Sequence, residues 1–585
     1  MADNFLHAPI AGSPQSDRLS AAIAAGRAQL QGIAVSREEA VEESDRLYDE
    51  AMRGEFGPWT ISRAIDLAAQ WQDSEELQVN AGRLIALGSE ASAVQLCWRS
   101  MLERFPASDV VLAEYVKSLG KTLDEESADA LYRAYRPGQT RPSEMEDAGE
   151  SLAALEKLLE RGLRWRESYP PVRTADLGSI VLVGGTLGGG GAERQLVNTA
   201  LGVAARRSAG TESIGPVSVY CRKLDRRRGH DFYLPRLEAA AIPVADYLRA
   251  EPFGGNRETS RLAPLMPLID KLPHRMREGT VQLTELLRHE APDVVQIWQD
   301  GAIFAAGLAA LITNVARIIL TVRTMPPTAR ADRRKPEQAT LYRGLLRAPG
   351  VSLTANSHMA ARAYEEWLGL DEGAVAVIPN GVEPLPVDGD DTERARWEEF
   401  DARTKGGFTL GGVMRFDDNK RPLEWLAIAA ALAEKLPETR FVLAGAGPLR
   451  SAAEDFARRK GISERTLFTG RTPHIGFWLA KMDALALTSR HEGLPNVLIE
   501  AQLAGVPVVT TPAGGAAEAV ADHLANLVLA SPLTVAHEQA AVHLARLAQR
   551  SAKQRADDID ALKLWATDQF SIDHMIDRTI EIFAG

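Results

Sequence analysis

Residues 485–520 read LALTSRHEGLPNVLIEAQLAGVPVVTTPAGGAAEAV, and this stretch decides the fold. An apolar run ending at Ser489 predicts a strand, the polar turn Arg490-His491-Glu492-Gly493 follows, and a helix begins near Pro495-Asn496. Proline suits a first helical turn, where its missing N–H costs nothing. A helix start placed there offers free backbone N–H groups and a positive dipole end to an anion such as a diphosphate. Glu492 lies in the loop ahead of this helix and Glu500 in its second turn. At that separation one carboxylate reaches a ligand beyond the helix end while the other flanks it. Carboxylates are poor phosphate ligands, so the hydroxyls of a sugar ring and a ribose are their natural partners. Taken singly, Glu492 reads equally as a helix-dipole carboxylate and Glu500 as part of a solvated helix face.

The string as a whole resembles the E-x7-E signature of retaining glycosyltransferases of GT-B fold, family 4. The resemblance rests on Glu-Gly-Leu-Pro-Asn-Val-Leu-Ile-Glu-Ala at 492–501, Gly-Val-Pro-Val-Val at 505–509 and Gly514-Gly515-x-x-Glu518. It implies that Glu492, with the backbone of Gly493, Leu494, Pro495 and Asn496, holds a donor sugar and that Glu500 binds a ribose. Further segments resemble the family in the same order. Arg415 and Lys420 stand five residues apart after a predicted strand. Two fixed cations there neutralise a diphosphate and stabilise charge on the leaving group; alone, Asp-Asp-Asn-Lys-Arg is a solvated turn. Leu-Ala-Gly-Ala-Gly-Pro at 443–448 resembles the family's strand followed by G-x-G-P, with Gly445 and Gly447 near the nucleotide. Arg471 follows the next strand, where the family's backbone meets the base, and Val-Ile-Pro-Asn-Gly at 377–381 resembles its interdomain linker.

Working back toward the N-terminus, Leu-Gly-Gly-Gly-Gly-Ala-Glu-Arg at 187–194 follows a strand and opens a helix. Glycine there permits close backbone approach to a ligand, and the run looks like the family's GG-A-E-R stretch, which implicates Gly190, Gly191 and Glu193. The chain departs from the family where histidines are often found, reading Gln-Ile-Trp-Gln-Asp-Gly at 296–301 and Thr-Val-Arg-Thr at 321–324. Trp298, Asp300 and Arg323 therefore become acceptor-side candidates: the indole to stack on a sugar face, the guanidinium to hold an anion. The resemblance assigns catalysis to Glu492, Arg415 and Lys420 and implies front-face displacement with no metal; Asp417-Asp418 lacks paired ligands. The implied substrate is a nucleotide-sugar, a UDP-sugar above all, with no cofactor.

The surrounding pattern supports two α/β blocks. Short β-rich runs at 179–183, 217–221, 243–244, 293–297, 317–322, 351–355 and 375–378 alternate with helix-period sequence. The alternation restarts at 408–413, 440–444, 466–468, 484–487, 507–510 and 526–529. This is the signature of parallel sheets covered by helices on both faces. The expected architecture is α/β: two Rossmann-like domains of GT-B fold facing a cleft, at 171–380 for the acceptor and 381–585 for the donor. A C-terminal helix is expected to return to the acceptor domain. Residues 1–170 carry little strand signal and predict amphipathic helices at 64–71, 75–87, 91–105, 110–119 and 125–135. They form an α-helical domain similar to a degenerate tetratricopeptide array.

The chain of 585 residues carries a net charge of −12, 45% apolar and 25% charged residues, values that exclude wholesale disorder and fibrous rods. Residues 1–170 hold 18 basic and 29 acidic side chains, 171–380 hold 26 and 21, and 381–585 hold 23 and 29. The middle third alone is basic and is where an anionic partner would dock; its clusters are 222–228, 274–277 and 330–335. No stacking aromatics interleave these, which argues against nucleic acid. Two cysteines exclude a disulfide framework and fit a reducing cytoplasm. No signal peptide is apparent at the N-terminus, and the most apolar run, 303–312, is half a membrane span. The expected location is cytoplasmic or peripheral at the inner face of the membrane. Acceptors compatible with these features are a saccharide, a lipid-linked saccharide, or a protein of flagellin type recognised by the N-terminal helices. The alternative from another class is a GT-B-fold sugar-nucleotide epimerase.

Overall fold

The computed structural model describes residues 36–52, 58–88, 91–120, 131–132, 134–136, 148–173, 176–210, 214–249, 262–329 and 335–585. The described residues up to 150, with 335–336 and 447–451, form one compact unit; the others form a second. The expected helix at 125–135 and the basic cluster at 330–335 lie largely outside the described residues, and the N-terminal 35 residues wholly so.

The first unit is helical. Helix Arg37–Met52 precedes the pairs Pro58–Gln70 with Glu75–Gly88 and Ala91–Arg104 with Asp109–Gly120. Leu67, Leu77 and Leu84 fill one core and Trp98, Met101, Val111 and Leu112 another. Gly82 has no side chain because Met101 and Trp98 occupy the space where one would stand.

The second unit holds two parallel sheets, as the alternation predicts. In the first, β1 (Ile180–Gly184), β2 (Val217–Cys221), β3 (Val244–Asp246), β4 (Val294–Trp298), β5 (Arg317–Thr321), β6 (Val351–Ala355) and β7 (Val375–Val377) take the order β3-β2-β1-β4-β5-β6-β7. In the second, β8 (Thr409–Val413), β9 (Arg440–Ala444), β10 (Thr466–Gly470), β11 (Ala484–Leu487), β12 (Val508–Thr510) and β13 (Leu527–Val528) take the order β10-β9-β8-β11-β12-β13. The chain reverses direction of growth at β1/β4 and at β8/β11. Such switch points, at the carboxyl ends of the strands, are where α/β sheets bind ligands.

Helices bury both faces of the first sheet. The apolar run at 303–312 is the interior of helix Gln299–Ile312, buried on nearly every side; among the described residues no helix is long and apolar enough to cross a membrane. Helix Ala148–Ser168 adds Leu155, Leu158, Leu159 and Leu163 to that core. Its Arg166 is buried and donates to the carbonyls of Pro349, Val315 and Ala316. On the opposite face helix Gly191–Ala209 packs against the last helix, Ile572–Ala584, whose Met575, Ile576, Ile580 and Phe583 complete the core. The chain thus crosses between the sheets twice, near Gly381 and near Ser571. The crossings touch: Val382 N–H donates to the Phe570 carbonyl at 2.8 Å.

Candidate active site

The loops after β8 and β11 are laced together. Arg421, in the left-handed region at φ +52°, is buried and donates to the Thr488 and Ser489 carbonyls. Thr488 Oγ1 donates to the Lys420 carbonyl at 3.0 Å. Asn419 bridges from the other side: its Nδ2 donates to the His491 carbonyl at 3.0 Å and its Oδ1 accepts from His491 N–H at 3.1 Å. This clasp sets Lys420 against Glu492, and the two form an ion pair with side chains only 24% and 12% exposed. Arg415 is the outer cation, 72% exposed and paired with Asp417, whose other oxygen accepts from Lys420 N–H.

Gly493 follows Glu492 at a point with no room for a side chain: a Cβ would run into the Arg323 carbonyl. Its own carbonyl accepts from Gly515 N–H at 2.8 Å, so the G-G-x-x-E turn packs directly on the loop. Pro495 caps helix Asn496–Leu503 with extended ψ instead of entering it. The eight-residue helix places Glu500 in its second turn, buried. Gly445 at φ +138° lies against the Met414 carbonyl, leaving no space for a Cβ, and its N–H donates to Gly470. Gly447, at φ +155°, groups with the first unit.

The two sheets meet across this site. Arg194 forms an ion pair with Glu500; burial alone would lower the guanidinium's pKa, but the Glu500 carboxylate holds it raised. Glu193 folds back over Gly190, and desolvation of its partly buried carboxyl pushes the pKa upward. Asn496 Nδ2 faces the Gly191 carbonyl at 3.5 Å, and Arg471 lies beside Gly189. Asn380, in the linker, donates to the Leu494 carbonyl at 2.9 Å and to Asn496 Oδ1 at 2.5 Å. Glu518 reaches the first sheet's domain and accepts from His358 and Met359 N–H, both at 2.7 Å, at the start of helix His358–Leu368.

The three acceptor-side candidates have separate surroundings. Asp300 turns into the core, where its Oδ1 accepts from the Tyr342 and Tyr364 hydroxyls. Trp298 is buried, and the Arg323 guanidinium stacks on its ring at 4.9 Å. Arg323 also donates to Asn380, and burial pushes its pKa down to about 9. The sequence motifs contain Asn380 and Asn419 but give neither a role, and Gln195 falls outside them. The buried Gln195 side chain pairs with both polar groups of the Gly381 backbone. Each is an amide that spaces loops, a task with no charge or period to betray it.

Two family models match the chain: one described as glycosyl transferases group 1 over residues 407–549, and one as glycosyltransferase family 4 over 189–384. The Vi polysaccharide biosynthesis protein VipC/TviE of Salmonella typhi is 34% identical over 415 residues, covering 70% of this chain and 72% of its own. The 2-deoxystreptamine glucosyltransferase of Streptomyces kanamyceticus is 27% identical over half of this chain and 77% of its own. Among solved structures, the Anabaena HepE protein in complex with UDP and glucose superposes with a TM-score of 0.52. It is 19% identical and covers 69% of this chain and 99% of its own.

Proposed function

This chain belongs to the family 4, group 1 glycosyltransferases of GT-B fold, enzymes that use a nucleotide-sugar donor, and from that premise we propose a retaining transferase with its donor on the second sheet and its acceptor on the first. The nucleoside diphosphate lies at the carboxyl ends of β8–β11, with Arg415 and Lys420 on its charges and the 493–496 backbone at its sugar. UDP is the favoured nucleoside diphosphate, since HepE carries UDP together with glucose. The acceptor hydroxyl attacks the sugar's anomeric carbon from the side on which the diphosphate departs. The C–O bond to the diphosphate breaks as the new glycosidic bond forms, and the proton leaves with the diphosphate. Lys420 stabilises the charge that builds on the departing oxygen.

The observation that carries this reading is the Lys420 and Glu492 pair, preset by the Asn419 and Arg421 clasp at the mouth of a helix start. A preorganised cation costs no reorganisation at the moment of reaction. The acceptor is a saccharide or lipid-linked saccharide, by analogy with the polysaccharide biosynthesis protein; no observation favours the epimerase or the protein acceptor. The N-terminal helix pairs are read as a partner-binding array, and the enzyme as cytoplasmic, at the membrane's inner face.

Screening UDP-sugars by proton NMR tests the reading. An α-linked donor should be hydrolysed slowly to the α-anomer first. Initial release of the β-anomer would remove the retaining mechanism, and failure to bind UDP would remove the donor assignment. Deletion of residues 1–147, sparing the core residues of helix Ala148–Ser168, should leave hydrolysis intact and change acceptor use alone.

A further inference from the structure

Arg222 and Arg275, one arginine from each of two basic clusters, come together at the carboxyl ends of β2, β3 and β4. Arg222 follows β2 and is held there by its N–H on the Gly184 carbonyl at 3.1 Å. Tyr247 follows β3, with its N–H on the Cys221 carbonyl at 2.9 Å. Arg275, in the first turn of helix His274–Glu290, lays its guanidinium over Gly301, where a Cβ would stand 2.9 Å from Nη2. Gly301 belongs to the opening turn of helix Gln299–Ile312, whose first residue, Gln299, is strained into the left-handed region at φ +68°. Three positive features therefore share one place: two guanidiniums and the N-terminal end of a 14-residue helix. The carboxylates beside them are already engaged: Glu278 pairs with Arg222 at 2.7 Å, and Asp300, in the first turn of the same helix, accepts from the Tyr342 and Tyr364 hydroxyls.

Two polar atoms there are buried and have no hydrogen-bond partner among the described residues: Arg275 Nε and the Tyr247 hydroxyl. Tyr247 is fully buried, and Arg222, Arg275 and Glu278 all act on it electrostatically. Burial and the neighbouring Arg222 together lower the pKa of Arg275, the signature of two like charges held close with partial loss of water. A phenol and a guanidinium N–H left unmatched in such a place cost free energy that an incoming acceptor group recovers.

We propose that Arg222, Arg275, Tyr247 and the start of helix Gln299–Ile312 form an oxyanion subsite for the acceptor, taking a carboxylate or phosphate group that the acceptor carries. The proposal rests on the acceptor lying on the first sheet and deepens that reading. An anion seated between the guanidiniums balances their charge, accepts from the Tyr247 hydroxyl, and holds the acceptor at the switch-point side of the sheet. Specificity then falls on acidic saccharides or phosphate-bearing acceptors, and neutral sugars lack the group that fills the site.

The full chain is saturated with UDP, so that the diphosphate site is filled, and titrated calorimetrically with inorganic phosphate, glucuronate and glucose. Saturable binding of phosphate or glucuronate, and none of glucose, is expected. Phosphate alone identifies a phosphate-bearing acceptor, glucuronate alone a uronic acid, and either supports the oxyanion subsite. Arg275→Gln should weaken the anion at least tenfold and Tyr247→Phe about threefold, with UDP affinity within twofold of wild type. Glucose binding equal to the anions', no anion binding, or wild-type anion affinity in Arg275→Gln overturns the proposal. If Arg275→Gln no longer binds UDP, Tyr247→Phe decides, and unchanged anion affinity there overturns it. A wild-type chain that binds phosphate through Arg275 but no UDP refutes the donor assignment and leaves this subsite standing.

Discussion

Replacing Lys420 with methionine keeps the side chain's length and removes its charge. Lys420 is three-quarters buried and its partner Glu492 more so, so solvent screens the site only in part. A unit charge about 4 Å from the developing oxyanion, at an effective dielectric near 20, is worth at most about 4 kcal/mol. Removing one preorganised stabiliser of such charge costs about 3 kcal/mol, or roughly 10²-fold in kcat. The same change leaves the Glu492 carboxylate without its cation, at a cost of about 2 kcal/mol in stability after allowance for its remaining exposure. Turnover of whichever UDP-sugar the wild type hydrolyses best, followed by UDP release, reads the first quantity; thermal unfolding reads the second. Lys420→Arg restores the charge and should recover much of the rate, short of the wild type because a planar fork replaces a point charge. A Lys420→Met enzyme that turns over within threefold of wild type, with UDP affinity intact, refutes the role given to the clasped cation.

Arg194→Ala strands the buried Glu500 carboxylate and should lower stability by about 2 kcal/mol, discounted because Arg194 is partly exposed; pairing it with Glu500→Gln in a double-mutant cycle should recover at least half of that loss. Arg323→Met removes a buried guanidinium that has no carboxylate against it among the described residues, and should raise the unfolding midpoint at pH 7 by a few degrees while slowing transfer. Between about pH 9 and its unfolded pKa the native Arg323 binds fewer protons than the unfolded one, so wild-type stability rises with pH there and the variant's advantage shrinks. A variant that unfolds earlier than wild type at pH 7 contradicts this. Cys221 is fully buried at the end of β2 and its thiol is pushed upward by desolvation. Iodoacetamide at pH 8 should therefore leave it unmodified in the native chain and label it in denaturant, as mass spectrometry will read.

The strands were legible because a parallel sheet buried on both faces demands short apolar runs, and each predicted run has its strand within a residue or two. Helix Arg37–Met52 was not: its sequence is mostly charged and holds few apolar positions. Lys420, Glu492 and Glu500, which the structure gathers at the candidate site, stand in the motifs that marked them in the sequence. Their partners were less legible: nothing local marks Arg194 as the mate of Glu500, 306 residues away. Asp300 illustrates the converse. Its position in the first helical turn after β4 suits a ligand, yet two tyrosines on later helices claim its carboxylate. A sequence shows which groups can act; which neighbour reaches them first is settled by packing.

The final helix has a consequence for synthesis. Met575, Ile576, Ile580 and Phe583 close the face of a sheet whose last strand, β7, ends at Val377. The ribosome must therefore add about 200 residues, on the order of 10–40 s at ordinary elongation rates, before that face can be covered. Through that interval the first sheet presents an unfinished apolar surface. Chains released early, lacking only the last dozen residues, should be captured by chaperones or aggregate although both sheets are complete.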